Sequence, residues 1–234
     1  MDKIYFLILA NNEVKTIEKE IYKILKLNKK LNFKLVVVQD GSTDGTFELL
    51  EKIKKKNKII LFNKKKRLGY YNAFLKGVKL CKGNTIFFSD TGNKYEYSKF
   101  LQFYKFYKNN NSDLVSGYRI KRKDKILRRI LTYVYSLTIN VIFQINYRDY
   151  DCGFKIFNRK KLLKILKSNS FEKNLITSQI FLYFIINKYR INQYPIIYKE
   201  KKTRNSRGIP TKKIFNVVLT AILNLIKIRL NFKL

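Results

Sequence analysis

With 234 residues, 46% of them hydrophobic, the chain is long enough for one α/β domain with a real core. Its 51 Lys and Arg against 16 Asp and Glu leave a net charge of +35, a surface suited to nucleic acid, anionic lipid headgroups or phosphorylated substrates. Two cysteines and no histidine exclude a disulfide scaffold, a Cys/His zinc site and any histidine base, and suit a reducing cytoplasm.

The apolar run Ile4 to Ala10 is too short for a signal peptide, and Ile4 to Leu9 reads as a buried parallel strand. Ile17, Ile21, Ile24 and Asn28 follow at helical spacing, with Thr16 as N-cap. Leu35 to Val38 reads as strand, Thr46 to Ile53 as helix and Ile59 to Phe62 as strand. Ala73 to Leu80 is a third helix and Thr85 to Phe88 a fourth strand. This βαβαβαβ order predicts a mostly parallel sheet with helices on both faces, whose ligands sit beyond the C-terminal strand ends. The strand exits carry Asn11-Asn12-Glu13, Asp40-Gly41-Ser42-Thr43-Asp44-Gly45 and Ser89-Asp90-Thr91-Gly92-Asn93. Each alone could be an ordinary loop. Together they would line a cleft with acids and amides, suited to a ribose, a base or a divalent metal.

Farther on, Arg119, Lys121, Arg122, Lys123, Lys125, Arg128 and Arg129 crowd one segment. The charge-free stretch Ile130 to Tyr147 holds several polar residues and reads as a helix pressed on a surface, not through one; no run is apolar enough to be expected to span a bilayer. Ile176 to Ile186 reads as a buried helix, and Tyr194 to Ile197 as an edge strand, where Pro195 is tolerated. In the tail, Asn216, Thr220, Asn224 and Lys227 form one polar stripe on an otherwise apolar helix, after a basic run that includes Arg204 and Arg207. The expected division is an α/β domain over residues 1–210 and an amphipathic helix over 211–234. That helix suits an anionic membrane surface, a partner or a second copy of the chain, which places the protein in the cytoplasm at the inner face of a membrane. The wealth of Lys, Asn and Ile is also what AT-rich coding produces, so the charge guides only where it clusters beside a site. No nucleic-acid motif is present, and no nucleic-acid partner is expected.

Val36-Val37-Val38-Gln39-Asp40-Gly41-Ser42-Thr43-Asp44-Gly45-Thr46 resembles the VVVDDGSTDGT strand and turn of the inverting glycosyltransferase family two, with Gln39 in place of the first Asp. Asn12-Glu13 resembles the NE after that family's first strand, and Gly69, Ala73 and Gly77 resemble its G…A…G helix. Ser116-Gly117-Tyr118-Arg119, Arg128-Arg129, Asp149 and Cys152-Gly153-Phe154-Lys155 resemble its dolichol-phosphate mannosyltransferase branch. The resemblance runs from about Ile4 to Gly208 and implies a GT-A (Rossmann-like) fold. It also implies an inverting transfer of a sugar from a nucleoside-diphosphate sugar to polyprenyl phosphate, dolichyl or undecaprenyl. By resemblance, Asn12, Glu13, Asp40 and Ser42 hold the nucleotide-sugar, while Asp90 and Lys94 face its diphosphate. Arg119 and Asp149 join Asp90 as catalytic residues, Arg128 and Arg129 take the acceptor phosphate, and Arg204 or Arg207 closes a loop over the donor phosphates. Asp90 begins the family's metal-binding DxD, but the second carboxylate falls on Gly92 and a further ligand position on Lys94. Asp90 alone is a poor Mg²⁺ or Mn²⁺ site unless diphosphate and water complete it. Gln179 stands where relatives carry a Glu, which suits an already ionised phosphate acceptor that needs no base. A hydroxyl acceptor in cell-surface polysaccharide synthesis, with Asp149 or Asp151 as base, and an inactive binding module stay open as alternatives.

Overall fold

A computed structural model describes residues 3–92, 94–120, 122, 126–169, 171, 175–199 and 211–231, with side chains of the last helix from residue 220 on. The strands are β1 (Ile4–Ala10), β2 (Phe33–Asp40), β3 (Ile59–Lys64), β4 (Thr85–Asp90), β5 (Leu114–Ile120), β6 (Phe154–Asn158) and β7 (Ile191–Ile197). The helices are α1 (Ile17–Leu27), α2 (Thr46–Lys56), α3 (Tyr70–Leu80), α4 (Phe100–Asn109), α5 (Ile126–Phe143), α6 (Arg159–Ser168), α7 (Ile176–Ile186) and α8 (Thr211–Asn231).

The seven strands form one sheet in the order β3-β2-β1-β4-β6-β5-β7. From β3 to β4 all pairings are parallel, as the alternation of apolar runs and helices predicts. β6 then inserts antiparallel between β4 and β5, and β7 pairs parallel with β5 at the edge that Pro195 allows. The result is the expected α/β architecture, a mostly parallel sheet covered on both sides.

Side chains alternate across the sheet and feed two cores. Leu7, Val36, Val38, Ile86 and Phe88 pack with α3, α6 and α7 on one side. Phe6, Ile8, Leu35, Val37 and Phe87 pack with α1, α2 and α4 on the other. The second core is rich in edge-to-face ring pairs, such as Phe6–Phe87 with centroids 4.3 Å apart.

Three details depart from the sequence expectation. Thr16 holds the N-cap position of α1 without capping it; its hydroxyl donates to the Glu13 carboxylate at 2.7 Å. α5 meets the length and hydropathy needed to cross a bilayer, with a mean hydropathy of 1.3. The C-terminal helix is present, and from Thr220 on it buries Ala221, Leu225 and Ile228 against the protein while Leu223, Ile226 and Leu230 stay exposed. Residues Asn216, Arg204 and Arg207 lie outside what is described of the side chains.

Candidate active site

The exits of β1 and β2 interlock. Asn11 donates to the Asp40 carbonyl at 2.6 Å, and the Asn12 backbone N–H donates to the Ser42 hydroxyl at 3.0 Å. The Thr43 N–H returns a bond to the Asn12 side chain at 2.8 Å, with Asn12 in the left-handed region at φ 55°. Glu13 is buried, its N–H bonded to the Thr46 hydroxyl at 2.9 Å. Burial opposes ionisation of Asp44, but hydrogen bonds from Thr46 and Val14 prevail and hold its carboxyl below the usual range. Asp40 accepts from the N–H groups of Leu68 and Gly69 at 2.5 and 3.0 Å, joining β2 to the start of α3. The expected nucleotide residues Asn12, Glu13, Asp40 and Ser42 thus form one rim. Gln39, in place of the family's Asp, is buried and accepts from the Gly41 and Lys64 N–H groups at 3.3 and 3.2 Å.

Asp90 ends β4 on the same side of the sheet as Asp40, since each follows the alternation of the residues that enter the first core. With only β1 between them, the two strands run about 10 Å apart, and Asp40 lies two residues beyond the level of Asp90. Asp90 rests against Gly153, where an added Cβ would come within 2.1 Å of its Oδ2. The following loop is pinned from below. Thr91 donates to the Leu9 carbonyl at 2.7 Å, and the Gly92 N–H donates to the Glu20 carboxylate at 2.8 Å. Glu20 is fully buried and takes a second bond, from the Tyr97 hydroxyl, at 2.8 Å. Lys94 is half-buried on the same loop, and its carbonyl accepts from the Lys199 N–H at 2.7 Å.

Among the described residues, no three His, Cys, Asp or Glu side chains converge as a metal site. Glu20 is committed to the loop, so Asp90 is the carboxylate left to face a ligand there. Gly92, at the second position of the DxD, supplies no carboxylate, so Asp90 would need the donor diphosphate and water to complete a Mg²⁺ or Mn²⁺ site.

Across the cleft, Arg119 and Asp149 close on each other. The Arg119 N–H, Nε and Nη2 all donate to the Asp149 carboxylate, at 2.9, 2.7 and 2.5 Å, and both side chains are buried. Burial disfavours both charges, but the mutual hydrogen bonds and charge outweigh it: Asp149 stays below the carboxylate range and Arg119 stays protonated. Both Asp149 oxygens are thus engaged by Arg119, which holds the carboxylate in place. Asp151, two residues on, differs. It is open to solvent, yet protein surrounds it closely enough that burial pushes its carboxyl up to about 6, with Lys155 and Arg119 opposing. Tyr70 is similar: 37% of its surface is accessible, while burial and then the Asp90 charge hold its hydroxyl well above the usual range. Asp90 and Asp151 both act on the Tyr70 hydroxyl, so the three groups lie close together.

Lys155 anchors the turn that carries these acids. Its buried ammonium donates to the Ser116 hydroxyl at 2.8 Å and to the Tyr150 and Cys152 carbonyls at 3.1 and 2.6 Å. Burial lowers its pKa, partly countered by surrounding acidic groups. Burial also pushes both thiols up to about 12, which leaves Cys81 and Cys152 as inert core groups. Gln179 is buried in α7. Arg128 and Arg129 are exposed in the first turns of α5. Sequence reasoning missed Glu20, Tyr70 and the anchoring role of Lys155. Glu20 carried a signal, a charge on the apolar stripe of Ile17, Ile21 and Ile24.

Residues 5–166 match the family described as glycosyl transferase family 2. An uncharacterized protein of Methanocaldococcus jannaschii is 32% identical over 162 residues, 64% of this chain and 70% of its own. The poly-beta-1,6-N-acetyl-D-glucosamine synthase of Staphylococcus aureus is 28% identical over 144 residues, 61% of this chain but only 35% of the synthase. Glucosyl-3-phosphoglycerate synthase of Mycobacterium tuberculosis, solved with Mn²⁺, UDP-glucose and phosphoglyceric acid, superposes with a TM-score of 0.70 at 16% identity, covering 97% of this chain and 80% of that one. A mannosyltransferase of Pyrobaculum calidifontis, solved with GDP-mannose and Mn²⁺, gives a TM-score of 0.64 at 16% identity, covering 88% of this chain and 58% of that one.

Proposed function

The chain belongs to glycosyl transferase family 2 and is a glycosyltransferase, and from that premise we propose that it moves a sugar from a nucleoside-diphosphate sugar to a polyprenyl phosphate, with inversion. The rim of Asn12, Glu13, Asp40 and Ser42 takes the nucleoside. Asp90 and Lys94 face the diphosphate, whose leaving charge Lys94 offsets; a Mn²⁺ held by Asp90 and the diphosphate would share that charge. An acceptor phosphate oxygen attacks the anomeric carbon, the carbon–oxygen bond to the diphosphate breaks, and the nucleoside diphosphate leaves with the bonding pair. Such an acceptor is already ionised and needs no base.

The observation that carries this reading is the position of α5. Arg122 lies near Asp149 and bonds Thr132 of that helix at 3.4 Å, and the Tyr135 hydroxyl shares a 2.7 Å bond with Ser178, itself a partner of Asp151. The wall of the cleft is thus cationic at one end and continues into an apolar helix, which suits a phosphate on a hydrocarbon tail. The test is a panel of UDP- and GDP-sugars offered with undecaprenyl or dolichyl phosphate, with and without Mn²⁺. Transfer to the lipid phosphate supports the reading; transfer only to a sugar hydroxyl overturns it.

One observation favours the hydroxyl acceptor as second reading: Asp151 is accessible, with a carboxyl raised to about 6, where a general base is effective. Loss of sugar-hydroxyl transfer in Asp151→Asn would select it.

A further inference from the structure

α5 leaves a long apolar face uncovered. Ile126, Ile130, Tyr133, Leu137 and Val141 follow one another at steps of 3 or 4 residues, each between 49 and 72% exposed. Scattered exposed apolar residues are ordinary, but a contiguous stripe marks an interaction surface. α8 packs beside α5 and extends the stripe with exposed Leu223, Ile226 and Leu230. Arg229 of α8 ties the two helices through a 3.2 Å bond to the Ile142 carbonyl.

We propose that the joint outer face of α5 and α8 lies in the plane of an anionic lipid bilayer, so that the cleft opens at the membrane surface. This goes beyond the transfer reaction and needs no particular sugar or acceptor.

α5 is long and apolar enough to cross a membrane, but its inner side is committed to the domain. Ile139 and Phe143 are buried in the core. The Asn140 side chain donates to the Tyr147 carbonyl at 3.0 Å and accepts from the Tyr147 N–H and the Tyr150 hydroxyl at 3.1 and 2.5 Å. Crossing the bilayer would break these bonds and strand their polar groups in hydrocarbon. Lying in the interface keeps them and still buries the outer stripe. Charge then selects the occupant. Arg128 and Arg129 are exposed at the start of α5 and Lys227 on α8, in a chain of net charge +35. A second copy docked on the same face would bring like charges together, whereas anionic headgroups complement them.

The test is binding of the full chain to phosphatidylglycerol–phosphatidylcholine vesicles that hold neither donor nor acceptor, so its outcome is independent of the transfer reaction. The variant Ile130→Gln/Leu137→Gln/Val141→Gln changes exposed positions only, and its thermal midpoint checks folding. The wild type should co-sediment with the vesicles, and the triple variant should lose at least about tenfold in partitioning at unchanged midpoint. The chain has no Trp, so the indole of a Tyr133→Trp variant is a sole reporter, and brominated lipids should quench it. Equal binding of wild type and triple variant with an unquenched indole would mean attachment by charge alone and overturn the proposal. So would a wild-type dimer that the triple variant dissociates while vesicle binding stays the same.

Discussion

Glu20 buries a full carboxylate beneath the loop that follows Asp90, where it is bonded to a backbone N–H and a phenol. Gly92 holds φ at 103°, and the Glu20 bond fixes the peptide that leads into it. Glu20→Ala would leave the Gly92 N–H without its acceptor and the Tyr97 hydroxyl with Ser89 alone, a cost of about 2–4 kcal/mol in a urea melt. Tyr97→Phe should cost only about 1 kcal/mol. If Glu20 sets the loop for the donor, Glu20→Gln should raise the donor KM more than it lowers kcat. A uniform fall in both would show that it supports only the fold. Asp151 makes the second residue-scale prediction. Its folded pKa of about 6 lies above the unfolded value of about 3.9, so its ionisation opposes folding. The stability linked to its protonated form is fully present below about pH 4 and is lost as the pH rises through 6. Asp151→Asn should therefore match the wild type near pH 4 and exceed it at pH 7, by no more than about 1 kcal/mol because one side of the group is open to water. Melts at the two pH values measure the difference. Asp149 works in the opposite sense. Its depressed pKa adds stability above about pH 4, which is lost as the pH falls through the folded value.

Among the elements, the turn between α5 and β6 carries Asp149 and Asp151, and Lys155 holds it. Lys155→Met keeps the length of the side chain but strands two carbonyls and a hydroxyl. It should cost about 2–4 kcal/mol in chemical denaturation and loosen the Arg119–Asp149 pair. Lys155 also explains why β6 was not legible in the sequence. A lysine at the centre of Phe-Lys-Ile-Phe-Asn reads as a solvent-facing position, and only the surrounding oxygens turn it inward. β5 was hidden likewise by Ser116, Gly117 and Arg119. β1 to β4 were legible because runs such as Val36-Val37-Val38 are buried on both faces, as a parallel sheet requires. The strand-exit motifs showed which residues would meet at one rim. They could not show that Asp40 is bonded to the start of α3, or that Arg119 and Asp149 are bonded to each other. Those contacts span 28 to 30 residues, and spacing carries no trace of them.

At the scale of the whole molecule, the charge is unevenly matched to the site. The chain carries +35, yet Asp90, Asp149 and Asp151 lie close together around Tyr70, Tyr95 and Arg119. The exposed cations of α5 stand outside that cluster, beside the apolar face. Long-range attraction should therefore act on a membrane-borne acceptor more than on the nucleotide donor. Screening separates the two, because the Debye length shrinks from about 10 Å at 0.1 M salt to about 3 Å at 1 M. Raising salt across that range should increase the apparent KM for polyprenyl phosphate in vesicles by at least about tenfold, with donor affinity changed less than about twofold. Steady-state transfer at varied salt, with donor binding measured separately by calorimetry, gives both numbers. A parallel fall in both affinities would mean that the positive charge works inside the cleft, on the diphosphate. Insensitivity of both would mean that the charge is a by-product of composition, and that the apolar face of α5 acts without it.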